Sequence, residues 1–192
     1  MTTTKRYIDV AETAKLIRKQ LKAKFPAIKF GVRSERYAGG SSINISWEDG
    51  PTGKAVDAIV QPFCGGRFDG MIDMAYNVDS YLLPDGSAAY GRSPGTSGSA
   101  GMDAPYENPA PCEGAELVHF SASHVFTHRA LSADFKARVA AAIAEKYGAD
   151  LGPFLEAIAN DRADRVYVVT NCTDYHWSLA SQIWQHSSEM GA

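Results

Sequence analysis

The three cysteines, Cys64, Cys112 and Cys172, are too few, odd in number and too far apart for a disulfide framework, and no CxxC pair is present. That usage fits a reducing cytoplasm. Long apolar runs are missing as well: none could cross a bilayer, and residues 1–7 hold no signal-peptide segment, so no membrane partner is expected. The chain has no HExxH and no internal repeat. Its glycine-rich stretches, Gly39-Gly40-Ser41-Ser42 and residues 95–101, match neither GxGxxG nor a Walker loop, since no Gly-Lys-Ser/Thr follows. Nor is there a strong charge of one sign. The net charge is −3, but the first sixty residues hold eleven Lys/Arg against six Asp/Glu, and the rest eight against sixteen. This asymmetry permits a basic patch on an acidic protein and excludes a dedicated nucleic-acid coat.

What is present is 45% hydrophobic residues in 192, enough to bury a core. Residues 25–52 organise the first half. Ile28, Phe30 and Val32 alternate with polar or small neighbours, as do Ile43, Ile45 and Trp47, which marks two strands with one buried face each. Gly39-Gly40 supplies the turn between them, and Asp49 or Thr52 offers a cap for the helix that follows. Asp9 and Glu12 form a capping box for a preceding helix with Val10, Ala14, Ile17 and Leu21 on one face, stopped by Pro26. A second helix is expected over 53–63, with Val56, Ile59, Val60 and Phe63 inward, and residues 68–76 read as a short strand or a turn-rich edge. The expected class is α+β: an N-terminal α-β-β-α unit over 1–83, both helices on one face of an antiparallel sheet, with Lys29, Arg33, Ser42, Asn44 and Ser46 on the other.

Residues 84–114 are rich in Gly, Ser, Pro and Ala and follow neither period, which predicts a long flexible loop, acting as a linker or ordering on a partner. Residues 115–192 complete one composite domain with an α/β part. There, one or two strands span 116–129, and Ser132 caps a helix over 133–147, with Phe135, Val139, Ala142 and Ile143 inward and Gly148 as its stop. Asp150 opens a helix through Ala159 whose apolar side is Phe154, Leu155 and Ile158. A strand covers 165–170. Asp174 caps a last helix carrying Trp177, Leu179, Ala180, Ile183 and Trp184, its two tryptophans on one face as core or as a partner-facing anchor.

The residues Ala14, Ile17-Arg18, Leu21-Lys22, Phe25-Pro26, Lys29-Phe30, Val32-Arg33, Gly39-Gly40-Ser41-Ser42-Ile43, Trp47 and Asp49-Gly50-Pro51-Thr52, followed by Phe68-Asp69-Gly70-Met71 and Asp73, form a pattern. It is similar to that of the large polyvalent protein-associated domains of phages and conjugative elements. The resemblance spans residues 8–83 and returns over 118–147, through Phe126, Arg129 and Leu131-Ser132. It implies a mobile-element setting and no catalytic residue. Proteins in that setting often travel with DNA into a new host or blunt its defences, an inference by association only.

Reactive groupings are weighed against plainer roles. His124 and His128, with His119, could bind a metal on a helix, but in a strand positions four apart lie about 13 Å from each other. Cys64 could be a nucleophile with His119 or His176 as base, or a free, partly buried thiol. Asp69, Asp73 and Asp79 could gather a divalent ion, or serve turns and edges. The best binding feature is the helical stripe Lys15, Arg18, Lys19 and Lys22, with Lys29 and Arg33 close in sequence, read either as a solvated face or as a phosphate-contacting patch. The sequence therefore favours a non-catalytic accessory protein without a cofactor. It would act on a host defence protein or nucleoprotein complex, with direct DNA or RNA binding as the alternative and a metal- or cysteine-dependent enzyme as the third reading.

Overall fold

The computed structural model describes residues 5–160, 162, 163, 167, 168 and 177–190. It is an α+β protein that divides into two compact units, one of Met1–Trp47 and Ala55–His128, the other of Glu48–Lys54 and Arg129–Ala192.

The first unit holds a five-stranded sheet, a three-stranded sheet and a hairpin. Its first strand, β1 (Arg6–Ile8), was not foreseen; it lies parallel to β9 (Glu116–Phe120), and only Ile8 of its three residues is buried. A three-residue strand is too short for alternation to show. Helix α1 (Val10–Lys24) begins at Asp9, as expected, but Asp9 caps by accepting from Ala11 N instead of closing a capping box, and Glu12 pairs with Arg6. It buries Val10, Ala14, Ile17 and Leu21 against β2 (Gly31–Tyr37) and its sheet. Strands β2 and β3 (Gly40–Glu48) pair from Gly31↔Ser46 to Tyr37↔Gly40, leaving Ala38-Gly39 as a two-residue turn. Gly39 sits at φ +91, where a side chain would be strained. Val32, Ile43, Ile45 and Trp47 face the same core as α1 and as α2 (Gly53–Val60), which contributes Val56 and Val60. Residues 61–63 finish that second helix as a 3₁₀ turn containing Pro62, which cannot donate to a further α turn. The hairpin β4 (Gly66–Asp69) and β5 (Met74–Asn77) resolves the open reading of 68–76 in favour of strands.

The stretch 84–114 is corrected by the structure. It carries β7 (Ala88–Ser93), a 3₁₀ turn at Ser97–Ser99 and β8 (Tyr106–Glu107). With β6 (Asp79–Leu82) these strands make up most of the order β1-β9-β6-β7-β8. Its small residues are there for close approach: a Cβ on Gly91 would sit 2.6 Å from Leu117 Cδ1 and 2.9 Å from Asp79 O. With Gly91 and Ser93 at the buried positions of β7 and its bulky Tyr90 and Arg92 exposed, no large apolar side chains alternate, and the stretch carries no strand signal. The last strand of this unit, β10 (His124–Ala130), neighbours β3 in the order β10-β3-β2.

In the second unit, α3 (Ala133–Tyr147) begins at Ser132 and ends at Gly148, and α4 (Leu151–Ala159) begins at Asp150, as the sequence predicts. Two inward faces shift. Ala140 and Ala144 are buried where Ala142 was expected, and Ala157 lies inward while Leu155 is exposed. The predicted strand over 165–170 survives as β11 (Tyr167–Val168) paired with β12 (Trp177–Ser178), the rest lying outside the described residues, as does the expected cap Asp174. Helix α5 (Leu179–Ser187) starts after Trp177, so the two tryptophans do not share a helix, and Trp184 is 74% exposed. No helix among the described residues is long and apolar enough to cross a membrane.

Candidate functional site

The six basic residues singled out from the sequence are all exposed, but the first unit does not gather them. On α1, Arg18 Nη2 donates to Val32 O at 2.5 Å, satisfying a carbonyl on the edge strand β2. Lys19 Nζ donates to Asp85 O at 3.3 Å, beside Gln20 Nε2 on the same oxygen. Lys15 and Lys22 are left, seven residues apart and so on one helical face. Arg33 neighbours the core residue Val32 in β2 and therefore points to the opposite side of the sheet from α1. Lys29 lies in the connection ahead of β2, between the partly buried Ile28 and Phe30.

A different surface is assembled on that opposite side. Along β10, Val125 enters the core and Thr127 Oγ1 donates to Asp57 Oδ1 of α2, so His124, Phe126 and His128 look outward. On β2 the outward residues are Gly31, Arg33, Glu35 and Tyr37, and between the two strands β3 presents Ser42, Asn44 and Ser46. Ser42, expected to be exposed, is buried, while Ser46 is exposed. Tyr37 crosses over Gly40, where an added Cβ would lie 3.0 Å from its Cε2, and its hydroxyl meets His124 Nδ1 at 3.2 Å. The His124 and Phe126 rings lie nearly parallel, 6° between planes and 5.6 Å between centroids. Tyr37 and Phe126 are 49% and 46% exposed, so aromatic surface stands on an open sheet face with small polar residues between. Pattern reading missed this set, because an outward aromatic and an inward one contribute the same letter to an alternating strand.

The reactive candidates are dispersed. Cys64 is a buried free thiol whose Sγ contacts the carbonyls of Gly66 and Ser123, each at 3.3 Å, and Cys112 is an exposed one. His119 Nδ1 lies 3.0 Å from Val78 O and 3.4 Å from Asp79 Oδ1, while His124 contacts Tyr37. His176 and Cys172 lie outside the described residues. Asp79 pairs with Lys5 and Arg92. Burial would raise its pKa, but these two cations bring it below the ordinary carboxylate value. Asp69 accepts from Met71 N, Met102 N and the Thr96 hydroxyl, and the Thr96 hydrogen bond leads in lowering its pKa. Asp73 is exposed at φ +53 in the β4–β5 turn. Among the described residues no three His, Cys, Asp or Glu side chains are grouped so that they could hold a metal ion.

A compact α+β unit with a hairpin-centred core and an open, ring-bearing sheet face is thus the class of protein in hand. The chain belongs to the family described as large polyvalent protein associated domain 29, whose model matches residues 8–132. This family is associated with phage and polyvalent proteins. The match includes the 84–117 stretch, which the motif resemblance passed over, and ends at Ser132, the cap of α3. No curated protein and no solved structure matches the chain.

Proposed function

We propose that this protein is a non-catalytic accessory of a phage or mobile element. It acts in the host cytoplasm by binding a host defence protein or nucleoprotein complex and blocking it. The observation that carries this reading is the outward face of β10-β3-β2, where Tyr37, His124 and Phe126 present rings held by contacts to one another. Large aromatic side chains surrounded by small polar ones are the usual anchors of protein recognition, because they bury much area at little conformational cost. The free thiol of Cys112 is compatible with a reducing compartment. The test is infection and plasmid transfer in host strains that each carry one defence system, with the protein supplied in trans. Wild type should restore entry against at least one system, and Tyr37→Ala/Phe126→Ala, checked to be folded by its melting curve, should not. Equal protection by the variant removes the sheet face, and no protection anywhere removes the reading.

Arg33 on the same face, with Lys29 ahead of β2, favours a second reading in which the rings stack on bases of DNA or RNA. Fluorescence anisotropy with labelled single strands and duplexes decides it: saturable binding lost in the same variant supports direct contact, and none refutes it.

A further inference from the structure

A cavity of about 520 Å³ opens at the end of the five-stranded sheet in the first unit, within the roughly 300–1,000 Å³ of small-ligand sites. The register explains its charge. Asp79 of β6 is opposite Arg92 of β7, which is opposite Glu107 of β8, so three charged residues lie side by side across three strands. Arg92 hydrogen-bonds only one of its neighbours, its Nε donating to Asp79 Oδ2 at 2.9 Å, while Glu107 acts on it through charge alone. The choice follows from burial. The Asp79 side chain is 7% exposed, and leaving a buried carboxylate unpaired costs far more than an ion pair to the exposed Glu107 gains. Lys5 Nζ takes the other Asp79 oxygen at 2.5 Å. Two consequences remain at the cavity. Among the described residues the Nη groups of Arg92 have no partner, and Glu107 makes neither an ion pair nor a side-chain hydrogen bond. Beside them the Tyr106 ring, with Pro94 and Pro105, forms an apolar wall.

We infer that this cavity binds a small zwitterion with a flat apolar body, of the α-amino acid class. Its carboxylate lies on the Arg92 guanidinium, its ammonium on Glu107 and its side chain against Tyr106. Charge selects this class. Lys5 and Arg92 balance Asp79 and Glu107, so a neutral dipolar ligand leaves no excess, whereas a nucleoside phosphate brings net negative charge into a balanced site. Asp79 is a positioning residue here, holding both cations in place before a ligand arrives.

The test is titration calorimetry on the full chain with L-phenylalanine, 3-phenylpropanoate (the same body without the ammonium) and adenosine monophosphate. L-Phenylalanine should bind saturably. Glu107→Gln, a change at an exposed side chain with no hydrogen-bond partner among the described residues, should weaken it about tenfold, as loss of one charge-assisted contact does, and should not weaken 3-phenylpropanoate, which gains from the lost negative charge. Tyr106→Ala should weaken both. No saturable heat with L-phenylalanine overturns the assignment. So does a Glu107→Gln protein that binds it as well as wild type, or a preference for the nucleotide. None of these outcomes bears on the sheet face, whose test is independent.

Discussion

Asp49 is in the left-handed region at φ +53, which aspartate and asparagine tolerate better than bulkier residues. The sequence offered it as a helix cap for α2; the structure uses its carboxylate to receive Ser132 N at 2.8 Å and Ser132 Oγ at 2.6 Å, while that same Oγ accepts from Phe135 N at the start of α3. Beside it, Arg129 donates to Asp49 O, Gly50 O, Ser187 O and Met190 O, so one guanidinium ties the 49–50 turn to the end of α5. The Asp-Gly of the family pattern and its later Arg and Ser thus meet in one hydrogen-bonded node of the second unit, which gives those letters a structural reason. Burial alone would raise the Asp49 pKa, but the Ser132 hydrogen bonds, with Arg129 and Arg138, hold it below the ordinary value. A carboxyl with a depressed folded-state pKa contributes stability above its unfolded pKa and loses it as pH falls through the folded one. Asp49→Asn keeps the backbone conformation and removes the charge. It should cost about 1 kcal/mol at neutral pH, a difference that shrinks towards zero as the pH falls below the ordinary carboxylate range. Denaturant melts of both proteins across that range measure it; a difference that does not change with pH refutes the carboxylate's role.

At the scale of elements, what alternation and capping encode was legible. The β2–β3 hairpin, both caps and the glycine stop of α3, and the start of α4 all lie where their residues demand. What escaped was held by other means. β7 and β8 sit in a run of small residues, and the connection between them is fastened by Asp69, a side chain 27 or more positions away, through the Thr96 hydroxyl and the amides of Met102 and Asp103. Tyr76 adds a hydrogen bond to Asp103 Oδ2 at 2.7 Å, and burial together with that carboxylate pushes its phenol up to about 12. Local pattern is blind to such a latch, since neither end carries a periodic signal. Trp177 and Trp184 share a helical spacing but not a helix, because Trp177 pairs in β12 and α5 begins at Leu179. Asp69→Ala should therefore accelerate hydrogen exchange at the Met71 and Met102 amides, which lose their acceptor, while the paired amides of β2 and β3 keep their protection. Unchanged exchange at Met102 would refute the latch.

The arrangement of charge across the first unit bears on what kind of partner it can hold. α1 packs on the core side of β2, so Lys15 and Lys22 face away from the sheet, whereas Arg33 lies on its opposite side; Arg18 and Lys19 are tied to backbone carbonyls of the unit itself. A duplex lying along α1 would thus meet two unengaged lysines instead of the four to six cations the sequence suggests. Counterion release makes log K fall with log salt at about −0.9 per phosphate neutralised, so that face should give a slope of about −2, far short of a dedicated DNA-binding surface. Reversal of Lys15 and Lys22 to Glu should abolish that dependence and leave intact the protection proposed for the Tyr37 and Phe126 face. A measured slope of −5 or steeper, lost only when Arg18, Lys19, Lys29 and Arg33 are also reversed, would mean that the six cations act together on nucleic acid and that the sheet face is secondary. A shallow slope leaves shape and aromatic contact as what distinguishes one partner from another, as expected of a protein whose net charge is −3.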